Sequence, residues 1–260
     1  MRDEKNIAKG ATWSETGTKA KIYLLPSLIT TASLFSGFYS IISAINGNFS
    51  RSAVAIIVAA VFDGLDGRIA RFTGATSKFG MEYDSLCDLV SFGVAPALLA
   101  YLWALKPYGR YGWLAAFLYV ATTALRLARF NSMASKGSPK YFIGLPCPAA
   151  AAMVATTFFL GRFLGADSTV KHVSILILVY FLSYLMVSNF RYVSFKHPDT
   201  LKAKTFQVLV GMVLMFIVVA TEPAVTLFAL GVVYILSGPL VTAYQSIIKE
   251  KSEVEATVRK

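Results

Sequence analysis

Apolar residues fill this chain in long runs separated by short polar interruptions. A helix that crosses a bilayer needs about 20 mostly apolar residues, and eight stretches meet that measure: roughly 24–46, 52–72, 80–104, 112–130, 147–166, 172–190, 204–221 and 224–246. The last two are divided only by ATEPAV, where Glu222 and Pro223 mark a tight turn, so they read either as two spans or as a re-entrant pair. No repeat of fixed period, low-complexity segment or soluble domain interrupts the series. The pattern predicts an all-α, polytopic helical membrane protein with about eight transmembrane helices. A polar arm over 1–22 precedes one membrane domain over 23–248, and a short tail over 249–260 follows it. The arm has no apolar core of the kind a cleaved signal peptide carries, so it reads as a retained interfacial or cytoplasmic segment.

Composition strengthens this picture and charge gives it a direction. At 56% hydrophobic and 15% charged over 260 residues, the chain is too apolar for an ordinary soluble domain. Its net charge of +11 would suggest nucleic acid in a soluble protein. Here the basic residues lie between the apolar runs, so anionic membrane lipids are the expected partner and nucleic acid is not. With both termini cytoplasmic, 20 of the 25 lysines and arginines fall on the cytoplasmic side, leaving Arg51, Lys106, Arg110, Arg162 and Lys171 on the other. The positive-inside rule therefore selects this orientation over its inverse. Cys87 and Cys147 lack metal-ligand or redox spacing, which excludes a disulfide framework and a zinc site from the expectations. His172 and His197 have no second ligand at metal spacing and read as loop residues, and the aromatic residues read as lipid-facing and interfacial.

One stretch resists the greasy pattern. Residues 63–88, DGLDGRIARFTGATSKFGMEYDSLCD, place four aspartates among glycines and arginines between two apolar runs. On a helix advancing 100° per residue, Asp63, Asp66, Gly67 and Ala70 share one sector, while Gly80, Asp84 and Asp88 form a stripe at four-residue spacing. Two such stripes facing each other would concentrate four carboxylates, each costing several kcal/mol to bury unneutralised. Hard divalent cations relieve that repulsion, and two close ions suit a diphosphate substrate. The plainer alternative, solvated interfacial carboxylates paired with Arg68 and Arg71, accounts for one aspartate better than for four at these spacings. Gly64 and Gly74 suit helix packing or turns, whereas Gly67 and Gly80 lie on the carboxylate stripes, where a missing side chain lets a phosphate approach the backbone.

The residues Asp63, Asp66, Gly67, Ala70, Arg71, Gly80, Asp84 and Asp88 fill the pattern D-x-x-D-G-x-x-A-R, eight residues, G-x-x-x-D-x-x-x-D. This resembles the signature of the CDP-alcohol phosphatidyltransferase family. The resemblance implies that family's fold, a homodimer in the inner membrane with its site facing the cytoplasm, and a reaction in which an alcohol displaces CMP from a CDP-linked lipid. It further implies two divalent cations, Mg2+ or Mn2+, held by Asp63, Asp66, Asp84 and Asp88, with Asp88 also taking the proton from the attacking hydroxyl. Gly67, Ala70, Arg71, Ser77, Gly80 and, near the start of the first helix, Thr30 become the residues expected to contact the CDP-lipid. For Thr30 a hydroxyl bonded to the helix backbone is an equally good reading.

The segments LRLARFN at 125–131 and YFIGLPCPAAA at 141–151 are similar to the serine-using branch of the family. The implied reaction is transfer of the phosphatidyl group from CDP-diacylglycerol to L-serine, giving phosphatidylserine and CMP. Arg126 and Arg129 suit a carboxylate or phosphate and Asn131 a small polar acceptor, although positive-inside anchoring explains either arginine alone. GLPCP also reads as a turn into the fifth apolar run, and Lys136 and Lys140 as solvated loop charges or attractors of the anionic lipid. Other acceptors, glycerol 3-phosphate or inositol phosphate, remain open. So does a cation transporter with an acidic translocation site, which would place its carboxylates nearer the bilayer midplane.

Overall fold

The computed structural model describes residues 13–73, 77–134, 142–165, 173–192 and 219–258, with isolated positions from 210 to 217. Most of the seventh apolar run, with His172, His197, Lys136 and Lys140, lies outside the described residues, as do the side chains of Ala70 and Arg71. Helix α1 (Trp13–Ile45) is joined by a tight turn to α2 (Phe49–Thr73). Gly47 in that turn has φ 73°, in the left-handed region that glycine adopts without steric cost. Next come α3 (Lys78–Asp88) and α4 (Ala95–Ala100), then α5 (Arg110–Ala134), α6 (Cys147–Phe163), α7 (Val173–Val187) and α8 (Pro223–Val258). The all-α expectation holds, apart from a two-residue antiparallel pairing of Phe142–Ile143 with Arg191–Tyr192.

Among the described residues, three segments are long and apolar enough to cross a membrane: Pro26–Ile45, Lys78–Tyr108 and Pro223–Thr242. α6 and α7 are equally apolar in character but shorter. α2 and α5 carry Asp63, Asp66, Arg126 and Arg129 within their length, which lowers their hydropathy without shortening them. Helix ends also differ from the apolar runs. α1 starts at Trp13, inside the polar arm, and α8 continues to Val258, inside the tail.

The third apolar run is a single rod with two wide turns. α3 passes into a π-helical turn over Leu89–Val94, α4 follows, and a second π turn over Tyr101–Leu105 leads to a 3-10 turn at Lys106–Tyr108. Ala95 donates to the Val90 carbonyl and Lys106 to the Tyr101 carbonyl, each five residues back. Pro96 and Pro107 come immediately afterwards, and a proline has no N–H and crowds the carbonyl four residues earlier. Each widened turn thus takes up the disturbance without interrupting the rod.

α1 and α2 pack along a seam of small residues. The Ser33 hydroxyl donates to the Ala59 carbonyl at 3.0 Å, Ser36 to Ala55 at 3.0 Å, and Ser40 to Ser52 at 3.0 Å. Small side chains let two backbones approach, and interhelical hydrogen bonds hold them where no hydrophobic effect operates between apolar surfaces. Gly37 extends this closeness to the third run: a Cβ there would lie 2.6 Å from the Ser91 Cα. Ser91 in turn donates to the Ser33 carbonyl at 3.2 Å. The remaining core is aromatic and aliphatic, with Trp103 edge-on to Phe158 at 5.1 Å and Tyr119, Leu145, Leu182 and Leu185 fully buried.

Candidate active site

α2 and α3 bring the two carboxylate stripes face to face. Asp63 and Asp66 come from α2 and Asp84 from α3, and one carboxylate oxygen of each lies within 4.8 Å of the others. Asp88, one turn further along α3, is an electrostatic neighbour of all three. The helical spacing read from the sequence therefore produces the facing arrangement it predicted. Asp66 is 5% exposed, and the Thr30 hydroxyl and Gly67 N–H lie within hydrogen-bonding reach of its carboxylate. Among the described residues, Asp66 Oδ2 and Asp84 Oδ1 are buried with no hydrogen-bond partner. Two orphaned carboxylate oxygens beside further carboxylates would be strongly unfavourable unless a cation completed them. The donors are all hard oxygens, the type that divalent magnesium and manganese accept, so the residues present fit such ions.

The glycine and hydroxyl residues of the signature take distinct places. Among the described residues a Cβ at Gly67 would meet nothing within 4 Å, so they leave this edge of the cluster open. At Gly80 the nearest neighbour is the Ser77 hydroxyl, which accepts the Gly80 N–H at 2.9 Å and caps α3. Ser77 thus has a structural role at the helix start. The one Thr30 hydroxyl hydrogen is donated to the Pro26 carbonyl at 3.0 Å, the backbone bond anticipated for it. Ala70 and Arg71 continue α2 beyond the cluster.

The three residues expected around the acceptor diverge. Arg126 is buried, its Nε donates to the Leu145 carbonyl, and its charge faces Asp88. Arg129 turns to the end of α7, donating to Asn189 Oδ1 at 2.8 Å. Asn131 bridges to α3 through Glu82 Oε2 at 3.0 Å and the Ser85 hydroxyl at 3.0 Å. Arg126 alone of the three adjoins the carboxylates. The turn before α6 explains its placement: Gly144 has φ 80°, and Leu145 N–H donates to the Leu185 carbonyl at 3.1 Å. That fixes the Leu145 carbonyl that receives Arg126. GLPCP therefore shapes the entry to α6 and also orients a cation at the site. Sequence reasoning missed Leu145, Glu82 and Ser85. Only the unusual glycine-proline turn beside LRLARFN pointed toward the first of them.

The arrangement combines a carboxylate cluster suited to divalent ions, an open glycine edge and a buried guanidinium, all at one end of α2 and α3. The CDP-alcohol phosphatidyltransferase family model matches residues 23–179, which contain every one of these side chains, and the chain belongs to that family. Together with the three apolar helices long enough to span a bilayer, this makes it an integral membrane protein. Over 178 residues it is 43% identical to the CDP-diacylglycerol–serine O-phosphatidyltransferase of Helicobacter pylori strain ATCC 700392 / 26695, covering 67% of this chain and 74% of that protein. It is 41% identical over 150 residues to the enzyme of the same name from Mycobacterium leprae, covering 56% of this chain and 50% of that one. Identity to the archaetidylserine synthase of Methanothermobacter thermautotrophicus is 35% over 170 residues, or 65% and 69% of the two chains.

Proposed function

We propose that this protein transfers the phosphatidyl group of CDP-diacylglycerol to L-serine, releasing CMP. The observation that carries the reading is the cluster of four aspartates with two orphaned buried oxygens beside Arg126, in a chain whose relatives include serine-using phosphatidyltransferases. The serine hydroxyl attacks the phosphorus that bears the diacylglycerol, a new P–O bond forms, and the anhydride bond to CMP breaks. Asp88 accepts the hydroxyl proton on a carboxylate oxygen. Asp63, Asp66, Asp84 and Asp88 would hold two divalent cations, magnesium or manganese, which supply neutralisation of the diphosphate and of the charge that develops as CMP departs. The open edge at Gly67 admits the nucleotide, with Ala70, Arg71, Ser77, Gly80 and Thr30 completing that side. Arg126 pairs with the serine carboxylate, as a guanidinium does through its planar fork. Arg129 and Asn131 support this pocket by tying α5 to α7 and α3.

The catalytic face is cytoplasmic, as the distribution of basic residues suggests, and the membrane is the inner one, as the family resemblance implies. The arm over 1–22 and the tail over 249–260 flank a catalytic domain over 23–248, and family resemblance supports a homodimer. A transporter reading loses its basis, because the chain belongs to a transferase family. Purified protein supplied with CDP-diacylglycerol and a panel of alcohols provides the test, with CMP release as the readout. Serine should support the fastest release. Equal or faster release with glycerol 3-phosphate overturns the assignment of the acceptor.

A further inference from the structure

The end of the bundle away from the carboxylates holds a second polar constellation. Arg51, in the first turn of α2, lies about 18 Å along that helix from Asp63 at 1.5 Å per residue. Arg162, in the last turn of α6, donates from its guanidinium to the Ser50 hydroxyl. Arg51 and Arg162 line one cavity of about 390 Å³ together with Asn48, Ser50 and Phe158. None of the residues described as lining it is acidic. Only five lysines and arginines fall on this side of the predicted topology, and two of them meet here. Arginine is an always-charged cation, so both side chains lend positive charge to this one cavity.

Apolar grooves leave this cavity on either side. One, of about 490 Å³, begins at Arg51 and runs along α1 and α2 past Tyr39, Val54 and Val58. The other, of about 480 Å³, begins at Arg162 and runs between α6 and α8 past Phe159, Phe163 and Leu227. Each groove thus has an arginine at its head and hydrocarbon-compatible walls below. That is the layout of a ligand with one anionic head and two apolar chains. A basic pocket between transmembrane helices is a recognised form of lipid head-group site, and the planar fork of arginine matches phosphate oxygens in pairs.

We propose that Arg51 and Arg162 form a binding site for an anionic phospholipid of the leaflet opposite the active site, with its phosphate between the two guanidiniums and its acyl chains in the flanking grooves. The site is separate from the catalytic carboxylates, and its occupant is a resident lipid rather than the substrate.

The test uses the full chain purified in a non-ionic detergent, with phosphatidylglycerol titrated in and binding followed by native mass spectrometry and by the unfolding temperature. Phosphatidylcholine and inorganic phosphate serve as separate arms. Saturable binding of phosphatidylglycerol is expected, with phosphatidylcholine at least fivefold weaker and phosphate alone giving no rise in unfolding temperature. Arg51 is exposed, and Arg51→Gln should fold normally. It should weaken phosphatidylglycerol about five- to tenfold, as should Arg162→Gln, whereas Ser50→Ala, which removes the hydrogen bond but keeps both charges, should change affinity less than threefold. CMP release in mixed micelles should stay within twofold of the unaltered protein for Arg51→Gln, which separates this site from the catalytic one. Unchanged phosphatidylglycerol binding in Arg51→Gln overturns the proposal. So does equal binding of phosphatidylcholine, or full stabilisation by phosphate alone.

Discussion

The α1–α2 seam and the carboxylate cluster are both polar, both buried in an apolar bundle, and both built largely from α2. They differ in how their polar atoms are satisfied. In the seam, Ser33, Ser36 and Ser40 each find a backbone carbonyl on the facing helix at 3.0 Å. In the cluster, Asp66 Oδ2 and Asp84 Oδ1 find none. A closed polar set holds helices together, whereas unpaired carboxylate oxygens are ligand atoms suited to a cation.

The sharpest way to break this contrast is to remove divalent ions. Chelation should abolish CMP release and leave the seam intact, so unfolding should remain cooperative, and magnesium or manganese should restore turnover. Among the ligand substitutions, Asp84→Asn should alter the metal-concentration dependence most, because Asp84 reaches from α3 toward both α2 carboxylates. Full activity in metal-free buffer would erase the distinction between the two regions.

Next in size is Asp88→Asn. It keeps the side-chain volume and removes the proton acceptor, so turnover should fall by ~10² to 10⁴, the range for loss of a general base. CDP-diacylglycerol binding, measured by equilibrium titration, should stay within about tenfold. Near-normal turnover would place the base elsewhere.

Two glycines divide the regions at smaller cost. Gly37→Ala should destabilise by about 1–3 kcal/mol, as overpacking does, because its Cβ meets the backbone of Ser91. Gly67→Ala should leave the unfolding temperature nearly unchanged, since its Cβ enters open space, and should raise the KM for CDP-diacylglycerol severalfold. If the two variants exchange phenotypes, the glycine roles are reversed.

The smallest effect belongs to Ser36→Ala. Losing one interhelical hydrogen bond in a membrane bundle costs about 0.6 kcal/mol on average. Stability measured by denaturant titration should therefore drop slightly, and turnover should not.

The carboxylate cluster was readable in the sequence because its geometry is local. Spacings of three and four residues place side chains on one helix face whatever surrounds the helix, and only one tertiary fact, α2 facing α3, was needed to finish it. The placement of Arg126, Arg129 and Asn131 was not readable in that way. Arg126 and Arg129 are three residues apart, yet one meets the Leu145 carbonyl before α6 and the other Asn189 after α7. Their partners come from distant turns. Asn131 went to Glu82 and Ser85 for the same reason. Hydropathy located the third apolar run but not its π turns, which follow from the stereochemistry of Pro96 and Pro107 rather than from any period of apolar residues. The arginine pocket was equally hidden, since Ser50 and Arg162 stand 112 residues apart in the chain.

The serine seam also bears on how the chain enters the bilayer during synthesis. Its donors and acceptors come from two helices joined by a three-residue turn, so the hairpin satisfies its own hydroxyls without waiting for later segments. Asp63 and Asp66 travel in with it on α2, and their counterpart Asp84 is made only afterwards. A hairpin with its own seam already closed thus carries two acids at one end, and the arrival of α3 brings the third carboxylate against them.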